Sequence, residues 1–199
     1  MDLMKPAGLG FRVHSGWTAL VAISLDQNFP RVLLRERPHL VKTFTFEFRQ
    51  PYHTAEKKPL DEASDFIELV RTEARDLACR AIHSAQSSLH EQGYAIKRCG
   101  LLAASGKTLP ELPQILASHA LIHTADGELF REAVLDACRK RGLDTISVKE
   151  KEVFEKAGQA SRLSSTKLAG RLADLGRAYG SPWTQDEKLA ALAAWLSIA

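Results

Sequence analysis

The run of apolar positions that organises the chain lies over residues 13–25, Val13-His14-Ser15-Gly16-Trp17-Thr18-Ala19-Leu20-Val21-Ala22-Ile23-Ser24-Leu25. Val13, Trp17, Ala19, Val21, Ile23 and Leu25 are apolar on one parity, and Leu20 and Ala22 are apolar on the other. A strand that is apolar on both faces is buried on both faces, which is the mark of a central strand. The pattern therefore predicts one long strand over 13–25 with a small-residue turn-in near its start. Gly16 there admits close backbone approach, and His14 places a titratable group beside the sheet.

The rest of the chain reads as alternating elements. The cluster Asp26-Gln27-Asn28-Phe29-Pro30 predicts a turn, and 31–37 a strand running back. Residues 40–48 alternate, with Phe44, Phe46 and Phe48 on one face and Thr43, Thr45 and Glu47 on the other, so a third, half-buried strand is expected. From 61 to 92 the period becomes helical, with a stripe that includes Phe66, Leu69, Val70, Ala78, Ile82, Ala85 and Leu89, and with Gly93 as the stop. Residues 97–105 read as a short buried strand. One or two helices follow over 112–141, with Leu129, Phe130, Ala133, Val134 and Ala137 on one face and Gly142 after them. A fifth strand is expected at 144–148, then helical segments at 153–157, 165–179 and 184–198. The fold class is α/β: a five-stranded mixed sheet, three antiparallel strands then two parallel, flanked by helices.

Composition narrows the class without naming a role. A chain of 199 residues, 45% hydrophobic and 26% charged, suits one well-cored domain over 1–199. A net charge of +3 permits a nucleic-acid partner without requiring one. Cys79, Cys99 and Cys138 are odd in number and far apart, which suits reduced thiols rather than a disulfide framework. With Lys5-Pro6 at the amino end and no apolar run long enough to span a bilayer, the expected address is the cytoplasm, with no membrane partner.

The order strand, strand, strand, helix, strand, helix, strand, helices resembles the ribonuclease H-like fold. Residues 13–23 look like the first strand of the RuvC-type Holliday-junction resolvases, where Asp-Pro-Gly precedes a small and apolar run. Arg139-Lys140-Arg141-Gly142-Leu143, residues 148–158 and 172–180, and Trp183-Thr184-Gln185-Asp186-Glu187-Lys188 are similar in spacing to that family's carboxyl-terminal half. The resemblance implies a nuclease that holds two metal ions about 3.5–4 Å apart between carboxylates. Here the first-strand acid position falls on His14, the fourth-strand position near Ala104 or Ser105, and the final-helix positions near Gln185 and Lys188. A shift of one residue restores Asp186 or Glu187. The resemblance thus points to a ribonuclease H/RuvC-like protein without two-metal nuclease activity.

Each candidate residue has two readings. His14, Asp186 and Glu187 are the candidate catalytic set, yet Thr184-Gln185-Asp186-Glu187 is also a capping box. His119 and His123 are one helical turn apart with Asp126 and Glu128 close behind, a candidate Zn, Mn or Mg set, though pairs at this spacing also arise without a ligand. Ser105-Gly106-Lys107-Thr108 is similar to the end of a phosphate loop but lacks its earlier glycine, so it reads as a strand-to-helix turn. Arg139, Lys140, Arg141, Lys151, Lys156, Arg162 and Lys167 accumulate in the second half; together they suit phosphate contacts, and separately they suit solvated helix faces.

Two classes of function follow. One is a non-catalytic resolvase-like protein that binds a nucleic acid, a protein partner or a second copy of itself. The other is a metal-dependent nuclease or phosphohydrolase whose ligand set draws on His14, His119, His123, Asp126, Glu128, Asp186 and Glu187.

Overall fold

The computed structural model describes residues 4–103 and 108–199. The order is β1 (Lys5–His14), β2 (Trp17–Asp26), β3 (Phe29–Glu36), α1 (Phe46–Arg49), α2 (Pro51–Ala55), α3 (Leu60–Glu91), β4 (Tyr94–Ala103), α4 (Leu112–Leu116), α5 (His119–Lys140), β5 (Asp144–Lys149), α6 (Glu150–Ser161), α7 (Ser165–Tyr179) and α8 (Gln185–Ile198). The strands form one sheet in the order β3-β2-β1-β4-β5. β1 is antiparallel to β2 and β2 to β3, whereas β1 with β4 and β4 with β5 are parallel. The mixed sheet and its flanking helices are as the sequence predicts.

Two strand assignments change. Residues 13–25 are not one strand: the chain reverses at Ser15-Gly16, His14 pairs with Trp17, and Gly16 takes a left-handed φ of 83°. Apolar alternation continues across this two-residue turn, so the reversal leaves no gap in the pattern. The central strand is β1, which the pattern hides because Gly8 and Gly10 interrupt it. The expected strand over 40–48 is absent. After β3 the chain crosses the mouth of the β1–β2 hairpin, where Thr18 donates to the Pro38 carbonyl, Leu40 donates to the Gly16 carbonyl, and His39 alone bridges Trp17. Leu40 and Val41 are buried, while Phe44 and Phe46 remain 42% and 67% exposed.

Period-two alternation sorts the two faces of β1. Ala7, Leu9, Phe11 and Val13 enter a core with α3 and α5, where Ala63, Ile67, Val70, Ala74, Ala78, Ile82, Ala85 and Leu89 form the buried stripe of α3. This stripe is rotated from the expected one, so Leu69 faces solvent. Gly8 and Gly10 face the other way, toward α8. A Cβ at Gly10 would lie 1.9 Å from the Ala190 carbonyl oxygen, one at Gly100 of β4 would lie 2.1 Å from the Ala193 carbonyl oxygen, and one at Gly8 would lie 2.4 Å from Ser197 Oγ. α8 therefore lies backbone-to-backbone on the two central strands. The second core packs around it: Ala19, Val21 and Ile23 of β2 below, and Val153, Ala157, Leu168 and Leu172 of α6 and α7 above. Buried on the sheet side and the helix side alike, residues 189–195 of α8 are apolar all round.

Two glycine substitutions separate close approach from simple helix propensity. Gly10→Ala forces α8 off the sheet and should destabilise the protein by about 3 kcal/mol or more. Gly170→Ala, in α7 with nothing within 4 Å of the new methyl, should stabilise it by about 0.5–1 kcal/mol. Urea unfolding of the two variants against wild type measures both.

Candidate functional site

The row Gly8, Gly10, Arg12, His14 runs along the α8 face of β1 and ends at the amino terminus of that helix. Small residues at the first two positions bring α8 close, so the long side chains at the last two meet its first turn. Arg12 Nη1 donates to Asp186 Oδ1. The same guanidinium reaches Glu150 at the start of α6 through Nε at 3.2 Å and Nη2 at 3.3 Å, a two-point contact. His14 Nε2 lies 2.7 Å from Arg12 Nη1 and 3.0 Å from Asp186 Oδ1. A guanidinium only donates and a carboxylate only accepts, so Nε2 cannot satisfy both. Because Asp186 already takes a hydrogen from Arg12, the consistent arrangement has Nε2 accept from Arg12. Burial works against the Arg12 charge, and Glu150 and Asp186 outweigh it, so its pKa lies above the ordinary value. The His14 ring stacks on Trp17 at 4.3 Å.

Glu187 is the capping residue that the sequence offered as one of its two readings. Its carboxylate is fully buried, and accepts from the Thr184 backbone N–H at 2.8 Å and from the Thr184 hydroxyl. Arg37, which lies over the Trp17 ring at 5.1 Å, donates through Nε to Glu187 at 2.7 Å. Burial alone would raise the Glu187 pKa, but the hydrogen bonds from Thr184 and Arg37 hold it below the usual carboxylate range. Arg35 of β3 secures the approach to α8 by donating to the Gly180, Ser181 and Pro182 carbonyls.

The second cluster lies on the opposite face of the sheet. His119 and His123 share one face at the start of α5, with their Nε2 atoms 3.0 Å apart. The structure adds His53 from α2, and ligand atoms of the three histidines lie within 4.8 Å of one another. Asp126 is not beside them as a free ligand: it is buried, accepts from the Tyr52 backbone N–H at 2.8 Å, and holds His53 Nδ1 at 2.5 Å. Burial raises its pKa, opposed by the hydrogen bonds from Tyr52 and His53. Glu128 turns away and accepts from Arg131 at 3.0 Å. Among the described residues no hydrogen bond or ion pair joins this cluster to the His14–Asp186 group, so the single mixed ligand set expected from the sequence is not assembled.

The basic residues are distributed over α5, α6 and α7. Arg139 and Lys140 end α5 and Arg141 follows it, at the amino end of β5 and so at the opposite end of the parallel strands from His14, and Arg141 is engaged with Gln86 and His83 of α3. Lys156 pairs with Glu152 at 3.0 Å, Arg162 terminates α6 in a left-handed conformation, and Lys167 is exposed in the first turn of α7. Lys151 lines a groove of about 640 Å³ between α6, α7 and α8, together with Glu150, Gln185 and Lys188. Ala104 and Ser105-Gly106-Lys107, for which the sequence predicts a turn, lie outside the described residues. Sequence reasoning missed Arg12, Arg37, Glu150 and His53. Arg12 was within reach, since it shares the strand parity of His14; the others are joined to the clusters only by tertiary packing.

The Glu187 geometry sets a pH dependence. A carboxylate with a folded pKa below its unfolded value stabilises the fold above the unfolded value, about 4.3, and loses that contribution as pH falls through the folded one. Wild-type stability should therefore decline below about pH 4.3. Glu187→Gln should cost about 1–2 kcal/mol at pH 7 and show a shallower acid decline. Urea unfolding between pH 7 and pH 3 checks both.

No protein-family model matches the sequence, and no curated protein matches it significantly. Solved structures do match. Thermus thermophilus RuvC in complex with a Holliday-junction substrate superposes with a TM-score of 0.52 at 12% identity, covering 96% of this chain and 90% of that one. A second Thermus thermophilus RuvC structure gives 0.51 at 12% identity, covering 96% and 92%. At this identity the likeness carries architecture alone: the chain has the RuvC-like variant of the ribonuclease H-like fold.

Proposed function

We propose that this protein is a cytoplasmic, ribonuclease H/RuvC-like nucleic-acid-binding protein that works without two-metal hydrolysis. The observation that carries the reading is the placement of Arg12. A cation from β1 lies between Asp186 and Glu150 and contacts both. Two-metal chemistry requires carboxylates to converge there on divalent ions. In this protein an arginine pairs with both of them, and the next residue on the same strand face is His14. The described length of β4 carries no acid.

The remaining charge suits a polyanion. Arg37 is 43% exposed beside this group, and Lys151 and Lys188 line the adjacent groove. Open sheets with parallel central strands place their ligands at the carboxyl ends of those strands, which is where Arg12, His14 and Asp186 meet. The superposed RuvC carries a Holliday-junction substrate, which makes branched DNA the first probe. The metal-dependent hydrolase reading is less well supported, because His14, Asp186 and Glu187 sit on one face of the sheet and His119, His123 and Asp126 on the other.

Gel-shift titrations against junction DNA, duplex DNA and structured RNA at several salt concentrations test the proposal. The expected result is binding that weakens steeply with salt and no cleavage in Mg or Mn. Lys151→Ala should weaken binding to every sequence alike and lower the salt slope by about 1. Binding to none of the three probes removes the nucleic-acid reading and leaves a protein partner or a second copy as the occupant of this edge. Cleavage that depends on Asp186 removes the non-hydrolytic part.

A further inference from the structure

We propose that His53, His119 and His123 form a transition-metal site of the zinc class, with Asp126 as the outer partner that orients His53 and a solvent-accessible fourth position. The three imidazoles come from two elements, α2 and α5, and stand nearly edge to face: the planes meet at 88° for His53 with His119, 67° for His53 with His123, and 81° for His119 with His123. One nitrogen of each ring lies within 4.8 Å of the other two, so the three rings share a space that an ion could occupy. The His119 and His123 Nε2 atoms are 3.0 Å apart, near the separation of about 3.3 Å that two nitrogens take around a tetrahedral ion at 2.0–2.1 Å.

Asp126 supplies the second, independent observation. It is buried, takes one hydrogen bond from the Tyr52 backbone N–H, and takes the other from His53 Nδ1 at 2.5 Å. With Asp126 ionised, that contact puts the His53 proton on Nδ1 and leaves Nε2 as the donor of an electron pair. A carboxylate behind a histidine is the usual outer arrangement of a metal-binding imidazole, because it fixes both tautomer and ring orientation. Its placement needs explanation on other grounds too, since a buried acid that merely joined α5 to the α2 backbone would not need an imidazole directed outward.

The ligand set selects the ion. Three neutral nitrogens without an inner carboxylate suit Zn, Co or Ni, and suit Mg or Ca poorly. Three protein ligands also leave one tetrahedral position open, and His119 and His123 are exposed, so water or an anionic oxygen can complete the shell. The competing arrangement is a hydrogen bond between the two exposed imidazoles with no ion, and it makes different forecasts.

The full-length protein, stripped with a chelator and dialysed, is titrated with Co(II) and then with Zn(II). The expected result is one equivalent of cobalt, visible absorption bands of the intensity that four-coordinate cobalt gives, and displacement by zinc. His119→Ala and His123→Ala, both at exposed positions, should keep the far-ultraviolet circular dichroism of wild type and lose more affinity than the roughly 10–100-fold expected for Asp126→Asn, the outer-partner variant. Zinc should raise the melting temperature of wild type and leave that of His123→Ala unchanged. His39→Ala and His83→Ala should bind as wild type does. Failure to bind cobalt at one equivalent, or equal binding by the His119 and His123 variants, overturns the site. Unchanged affinity in Asp126→Asn overturns the role given to that carboxylate.

Discussion

The near contact of α8 with the two central strands is the constraint from which the rest of the architecture follows. Gly8, Gly10 and Gly100 carry no Cβ where Ala190, Ala193, Ala194 and Ser197 approach, so the helix sits directly on the backbone of β1 and β4. At that distance α8 is covered by the sheet on one side, and α6 and α7 must cover it on the other, which accounts for its apolar surface on all sides. The glycines give up strand propensity for this approach. Once the helix is seated, its amino terminus falls at the carboxyl end of β1, and the residue types at 12, 14, 186 and 187 decide what kind of site forms there.

What forms is a closed electrostatic group. Arg12 faces Asp186 and Glu150, and Arg37 faces Glu187 with Asp186 3.8 Å away. Charges in partly buried surroundings are costly unless paired, and pairing leaves each carboxylate with a guanidinium instead of a free lone pair directed into a cleft. Glu187 goes further: as the buried cap of α8 it serves the helix terminus, where its hydrogen bonds to Thr184 satisfy groups that the helix leaves unpaired.

The histidine cluster depends on the other face. α5 packs on α3 through Leu129, Phe130, Ala133 and Val134, and α2 is held against both through Tyr52 and Ala55. Asp126 joins the two elements by accepting from the α2 backbone, and in doing so it brings His53 to the first turn of α5. The two clusters thus lie on opposite faces of one sheet, each supported by its own core.

Much of the fold was legible in the chain itself. The helical period over 61–92, the runs at 129–137 and 184–198 and the strand at 144–148 all appear where their apolar spacing places them, because long amphipathic or buried segments leave few other ways to hide the same side chains. The capping box at Thr184–Glu187 was readable for a similar reason: a cap is a local bond. Four things only the tertiary structure decided. Strand β1 was hidden because its glycines answer to a helix more than 170 positions away, and the 40–48 segment left the sheet because the hairpin mouth, not β3, offered its backbone partners. Arg12 with Asp186, and His53 with His119 and His123, are long-range meetings in which no spacing along the chain records the partner. Periodicity reports which side of an element is buried; which side chains meet across the core is settled by how the elements pack.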